Sequence, residues 1–177
     1  MSTRELTAAL QRAQSVLRRR PEMGLHEDSP AFARWEGGSR VVTGHANGTQ
    51  ILSDMPVELG GKGDKITPGW LFRAGLAACS ATSIAMAAGA EDIELAALEV
   101  RAVSKTDSRA LLGIPDVDGE SVYAGPSDVQ LVVRIGAHGV APERLRALVE
   151  SAMRRSPVAC ALPNPTPIDL RIDVDPA

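Results

Sequence analysis

The residues that most restrict how this chain folds are Thr67 to Gly89, TPGWLFRAGLAACSATSIAMAAG. Thr67 is a helix-capping residue, Pro68 suits the first helical position, alanines and leucines propagate the helix, and Gly89 marks its stop. The small side chains Gly75, Ala77, Ala78, Ser80, Ala81 and Ala85 leave little apolar bulk on any face. Other backbone has to approach closely to fill such a surface, so a central, largely buried helix is expected. Cys79 falls in its middle.

A stretch this long also matches a membrane span in length. Arg73 and the preponderance of Ala, Gly, Ser and Thr over Leu, Ile and Phe argue against that reading, and no membrane partner is expected. The rest of the 177 residues fits one ordinary domain, 44% hydrophobic and 23% charged. A net charge of -3 and a pI near 5.6 give no reason to expect nucleic acid as a partner. Met1 is followed by polar and charged residues rather than an apolar run, so the expected location is the cytoplasm.

Two cysteines, Cys79 and Cys160, do not make a disulfide framework in such a compartment. Three scattered histidines, His26, His45 and His138, have no ligand spacing, and no metal or other cofactor is expected. Dinucleotide, P-loop, hydrolase and zinc-protease motifs do not occur.

Ser2-Thr3-Arg4-Glu5 reads as a capping box ahead of an amphipathic helix, with Leu6, Leu10, Ala13 and Leu17 on one stripe and Pro21 beyond its end. Arg18, Arg19 and Arg20 read as the solvated end of that helix. Residues 22–30 look like a linker, which divides the chain into an N-terminal segment, 1–30, and a domain, 31–177. From Ala31 to Asp54, β-prone runs broken by Gly37-Gly38 and Asn47-Gly48 predict an antiparallel meander of about three strands. Met55 to Lys65 is a glycine-rich loop into the central helix.

Beyond Gly89, alternation at Leu98, Val100 and Ala102, then at Val129, Leu131, Val133 and Ile135, predicts two half-buried strands. The long connection between them, 106–128, has the length of a functional or mobile loop. Pro142 opens another helix carrying Leu145, Leu148, Val149 and Ala152, and Ser156-Pro157 breaks it. Ile168, Leu170, Ile172 and Val174 alternate with polar residues and predict a last strand. Helices beside hairpin-linked strands give an α+β fold with an antiparallel sheet and a long central helix.

Cys79 lies about three turns into the helix, too deep for the helix dipole to activate it. Among Ala, Leu and Met, a thiol so placed is most simply an inert core residue. For it to react as a thiolate, a cation must be brought from elsewhere in the fold.

Several segments together resemble a known family. Glu58-Leu59-Gly60-Gly61, Thr67-Pro68, Leu71-Phe72-Arg73-Ala74-Gly75-Leu76-Ala77-Ala78-Cys79 and Ser156-Pro157-Val158 are similar to the OsmC/Ohr superfamily of osmotically inducible and organic-hydroperoxide-resistance proteins. The resemblance covers roughly residues 31 to 176. It implies an intertwined homodimer with active sites at the subunit interface. It also implies thiol-dependent reduction of hydroperoxides, with a thiol or dithiol as reductant, in which Cys79 becomes a sulfenic acid and a second cysteine resolves it. Arg40, after Glu36-Gly37-Gly38-Ser39, matches the family's cysteine-activating arginine, and is otherwise an exposed turn residue.

The sequence departs from that pattern twice. Ser156 stands where the family commonly keeps its resolving cysteine, and the other cysteine, Cys160, comes about one helical turn later. Gly69 stands where the peroxidases of the family place a glutamate after the helix-starting proline. The resemblance therefore implies a peroxidase using Cys79, Cys160 and Arg40. Its alternatives are a scaffold that binds a small ligand at the dimer interface without efficient peroxidase chemistry, and a one-cysteine cycle completed by an external thiol. Arg109 is a second cationic candidate or a solvated loop charge. Glu58 is expected to hold its loop, and Trp70 and Phe72 to serve packing or an interface.

Overall fold

Thr67 caps its helix as the sequence predicts. In the computed structural model, which describes residues 3–164 and 166–175, its side chain accepts from the Trp70 amide at 3.2 Å. The helix that follows is α2 (Pro68–Ala90), the second after α1 (Thr3–Arg19). Between them β1 (Ala31–Gly37), β2 (Arg40–His45) and β3 (Gln50–Ser53) form the expected antiparallel meander in spatial order β1-β2-β3. Gly48 takes the left-handed φ of 90° in the β2–β3 turn, the conformation its Asn47-Gly48 pair favours.

After α2, β4 (Leu95–Lys105) and β5 (Ser127–Ala137) pair antiparallel across a long connection that holds the short helix α3 (Ser108–Leu111). Two helices end the order, α4 (Pro142–Met153) and α5 (Pro157–Ala161). The core lies between α2, α4 and the β4–β5 pair. Ile84, Ala87 and Ala88 meet Ile93, Leu145, Leu148 and Ala152, with Leu98, Val100, Val133 and Ile135 packed against them from the strands. Each large aliphatic side chain buried there contributes roughly 1.5–3 kcal/mol.

The N-terminal helix docks on the far end of α2. Leu6 and Leu10 lie so close to Gly89 that a Cβ there would meet Leu6 Cδ2 at 3.0 Å, and Thr7 Oγ1 donates to the Gly89 carbonyl at 2.6 Å. The second half of the predicted stripe, Ala13 and Leu17, stays exposed. The capping-box serine, Ser2, lies outside the described residues.

Two expectations are corrected. Residues 168–174 form no strand: the alternation is present, but the segment has no ladder partner among the described residues, and Ile168, Leu170, Ile172 and Val174 are 72–92% exposed. Alternation specifies a face to be covered and does not by itself supply the neighbouring strand. The central helix is also not largely buried. One stripe, Leu76, Ser80, Ile84 and Ala88, is enclosed, while Gly75, Ala78, Thr82 and Met86 on the other side are open within this chain. Small side chains permit close approach, and α4, α5 and β4 occupy one side.

Candidate active site

The side chains that bear chemistry gather at two places. The first is the middle of α2. Pro157 disfavours helical geometry in the residue before it, so Ser156 is extended (φ -84°, ψ 112°) and the chain turns a corner between α4 and α5. That corner pushes Ser156 into the interior, where it is fully buried against α2. Its Oγ lies 3.3 Å from Cys79 Sγ and is placed to donate to it. Both cysteines are free thiols and both are half-buried.

Cys160 sits on α5, one turn past Ser156, but its sulfur is directed at backbone. It lies 3.3 Å from the Arg154 carbonyl and 3.7 Å from that of Met153. It also lines an open cavity of about 840 Å³ with Leu76, Leu131, Met153, Arg154 and Leu162. Leu76, one turn before Cys79, lines it from α2.

The second place is the loop that leads into α2. Asp54, at the end of β3, is buried to 1% exposure yet fully partnered. It accepts from Ser39 Oγ at 2.6 Å, Arg40 Nε at 3.1 Å, the Met55 amide at 2.8 Å and the Lys62 amide at 3.1 Å. The loop folds back tightly enough that a Cβ on Gly61 would collide with the Met55 carbonyl, so only glycine fits. Arg40 Nη2 reaches Asp64 as well. Hydrogen bonds from the Ser39 hydroxyl, and then from the Lys62 amide, hold the Asp54 carboxyl far below the usual carboxylate range despite its desolvation. Arg40 lowers Asp64 in the same way, and the Asp64 carboxylate raises Arg40 in return.

The predicted site residues therefore fall into separate settings. Cys79 is joined to Ser156, Arg40 to Asp54 and Asp64, and Cys160 to two carbonyls. Arg109 forms a local pair with Asp107, the cap of α3, with Nη2 2.6 Å from Oδ2, and this holds the Asp107 carboxyl down to about 2. That is the loop charge of the simpler reading. Glu58 lies exposed in a short turn of helix, Val57–Leu59, within the glycine-rich loop. At Gly69 a side chain would have room, its Cβ meeting nothing nearer than Arg73 Nη1 at 3.7 Å. Asp54, Asp64 and Ser39 were not legible as functional residues, because each acts through partners distant in sequence.

A family model described as OsmC-like protein matches residues 61–171, more than half of the chain and all of α2 through the helix break. The chain belongs to the OsmC-like protein family. Solved structures with the same fold include an OsmC-like protein from Mycoplasma pneumoniae, at 18% identity and a TM-score of 0.65, covering 80% of this chain and 91% of that one. An organic hydroperoxide resistance protein OsmC from Legionella pneumophila is 23% identical with a TM-score of 0.59, covering 79% of this chain and 92% of its own. An organic hydroperoxide resistance protein from Elizabethkingia anophelis, crystallised with thiocyanate, is 22% identical with a TM-score of 0.55, covering 80% and 91%. Among curated protein sequences there is no match. At these identities the likeness is one of fold, and the α+β architecture around a long central helix is that of the OsmC-like family.

Proposed function

We propose that this OsmC-like protein reduces organic hydroperoxides through Cys79, as a cytoplasmic homodimer that draws its electrons from a thiol or dithiol. The observation that carries this reading is the contact between Cys79 and Ser156: a free, half-buried thiol on the helix at the heart of the family match, beside a buried hydroxyl donor. The organic hydroperoxide resistance proteins of Legionella pneumophila and Elizabethkingia anophelis, which share the fold, support it.

The thiolate attacks the distal oxygen of the peroxide, the O–O bond breaks, and the departing alkoxide takes a proton to leave as an alcohol. Sulfur is oxidised by two electrons to the sulfenic acid, and a thiol later returns it to the starting state. Arg40 is assigned the cationic role, stabilising the thiolate and the departing oxygen. Within one chain it is engaged by Asp54 and Asp64, so the assignment requires a second copy to present it to Cys79. The exposed apolar side chains Phe32 and Trp35 on β1, and the open small-residue side of α2, support such a copy.

In this scheme Cys160 resolves the sulfenic acid only if its sulfur leaves the Met153 and Arg154 carbonyls. The second reading, ligand binding without efficient peroxide reduction, draws support from Gly69 and from the cavity that Cys160 lines. A peroxide-consumption assay with an organic hydroperoxide and a dithiol separates the two. The parent is expected to consume peroxide and Cys79→Ser to fall to the uncatalysed rate; equal rates for both would end the peroxidase reading.

A further inference from the structure

We infer that Ser156 is a positioning residue for Cys79, and that its hydroxyl, standing where a second thiol would close a disulfide, leaves the oxidised cysteine to a thiol from solution. The inference rests on the peroxidase reading for its chemistry and on the α4–α5 corner for its geometry. Ser156 is fully buried, and Cys79 is the acceptor its hydroxyl meets, at 3.3 Å. A hydroxyl with no water to turn to keeps its hydrogen bond, and that bond fixes where the Cys79 sulfur points. The extended backbone before Pro157 and the helix after it hold the serine on α2, its amide donating to the Met153 carbonyl at 3.3 Å and its carbonyl accepting from the Cys160 amide at 2.9 Å.

The same corner engages Cys160 elsewhere. One turn along α5 the Cys160 sulfur faces the carbonyls of Met153 and Arg154, so the side-chain tip that touches Cys79 is an alcohol, which cannot resolve a sulfenic acid. After peroxide has oxidised Cys79, a small thiol attacks the sulfenic sulfur. An S–S bond forms, the S–O bond breaks, and the hydroxyl leaves as water with the thiol's proton. A second equivalent of thiol attacks this mixed disulfide, giving the free disulfide and the reduced Cys79 thiol, so that two thiols are consumed for each peroxide.

Full-length Ser156→Ala and Ser156→Cys test this without relying on peroxide. With Cys160→Ser as background, alkylation of Cys79 by iodoacetamide at neutral pH is expected to slow about tenfold in Ser156→Ala, the scale of one hydrogen bond that holds the sulfur in place. The circular dichroism spectrum of Ser156→Ala should stay that of the parent. Ser156→Cys treated with diamide is expected to lose two hydrogens in intact mass as it forms a disulfide with Cys79, since the two side-chain tips already touch. The parent, given one equivalent of organic peroxide, should yield a sulfenic acid that dimedone traps. Unchanged alkylation in a folded Ser156→Ala, a persistent dithiol in Ser156→Cys under diamide, or a Cys79–Cys160 disulfide in the parent would each overturn the inference. If Ser156→Ala fails to fold, the diamide result still decides. If both variants behave as expected yet the parent ignores peroxide, the proposed function is sunk and the positioning role of Ser156 stands.

Discussion

Cys79 is held by one hydrogen bond, from Ser156, whereas Arg40 is clasped by two carboxylates, and the buried one, Asp54, accepts four hydrogen bonds of its own. Two of those four come from backbone amides of the loop that Asp54 closes, so moving the arginine means unfolding the loop. The thiol has no comparable brace. A group that acts by staying charged and in place gains from a dense network. One that must change its bonding in every turnover is better left with a single soft contact.

Breaking the denser side should have the larger structural effect. Asp54→Ala removes the acceptor for four donors, two of them backbone amides, and is expected to lower the thermal unfolding midpoint more than any substitution at Ser39, Lys62 or Asp64. A midpoint within the scatter of the parent would show that the loop is held by something else. The same carboxylates set a direction with pH. Asp54 and Asp64 are both held below the ordinary value near 4, so their contribution is fully present above that value and fades as pH falls through it toward their folded-state values. The acid limb of the stability curve should be flatter in Asp54→Asn than in the parent; identical limbs would contradict the assignment.

Next in size, Arg40→Lys keeps a positive charge but gives up the fork that meets Asp54 and Asp64 at once. Peroxide reduction is expected to fall on the order of tenfold, the scale of one charge-assisted hydrogen bond. An unchanged turnover would remove Arg40 from the mechanism and weaken the contrast between the two corners. The smallest effect belongs to Arg109→Ala. Its ion pair with Asp107 is exposed and local, so turnover should match the parent, and a clear loss would mean that the long connection takes part after all.

What could be read in the sequence was what depends on neighbouring residues. Thr67-Pro68 announces the start of α2, Asn47-Gly48 the β2–β3 turn, and Ser156-Pro157 the break that buries Ser156, because caps, turns and prolines act on the backbone within a few residues. Cys79 was singled out by the same helix. The Asp54 hub was not, since its partners Ser39, Arg40 and Lys62 lie 15, 14 and 8 positions away and nothing local marks a carboxylate for burial. Ile168 to Val174 shows the reverse case, a strand pattern whose partner the chain alone does not provide.

The contact between α1 and α2 has a practical side. Thr7 donates to a carbonyl at the end of the helix that carries Cys79, and Leu6 packs so closely on Gly89 that a side chain there would have to push it aside. The helix bearing the thiol is thus finished by residues near the beginning of the chain. An affinity tag fused close to Thr7, or a truncation chosen to trim an apparently dispensable leader, perturbs the foundation of the thiol's own helix. Material for redox measurements is better tagged away from Thr7.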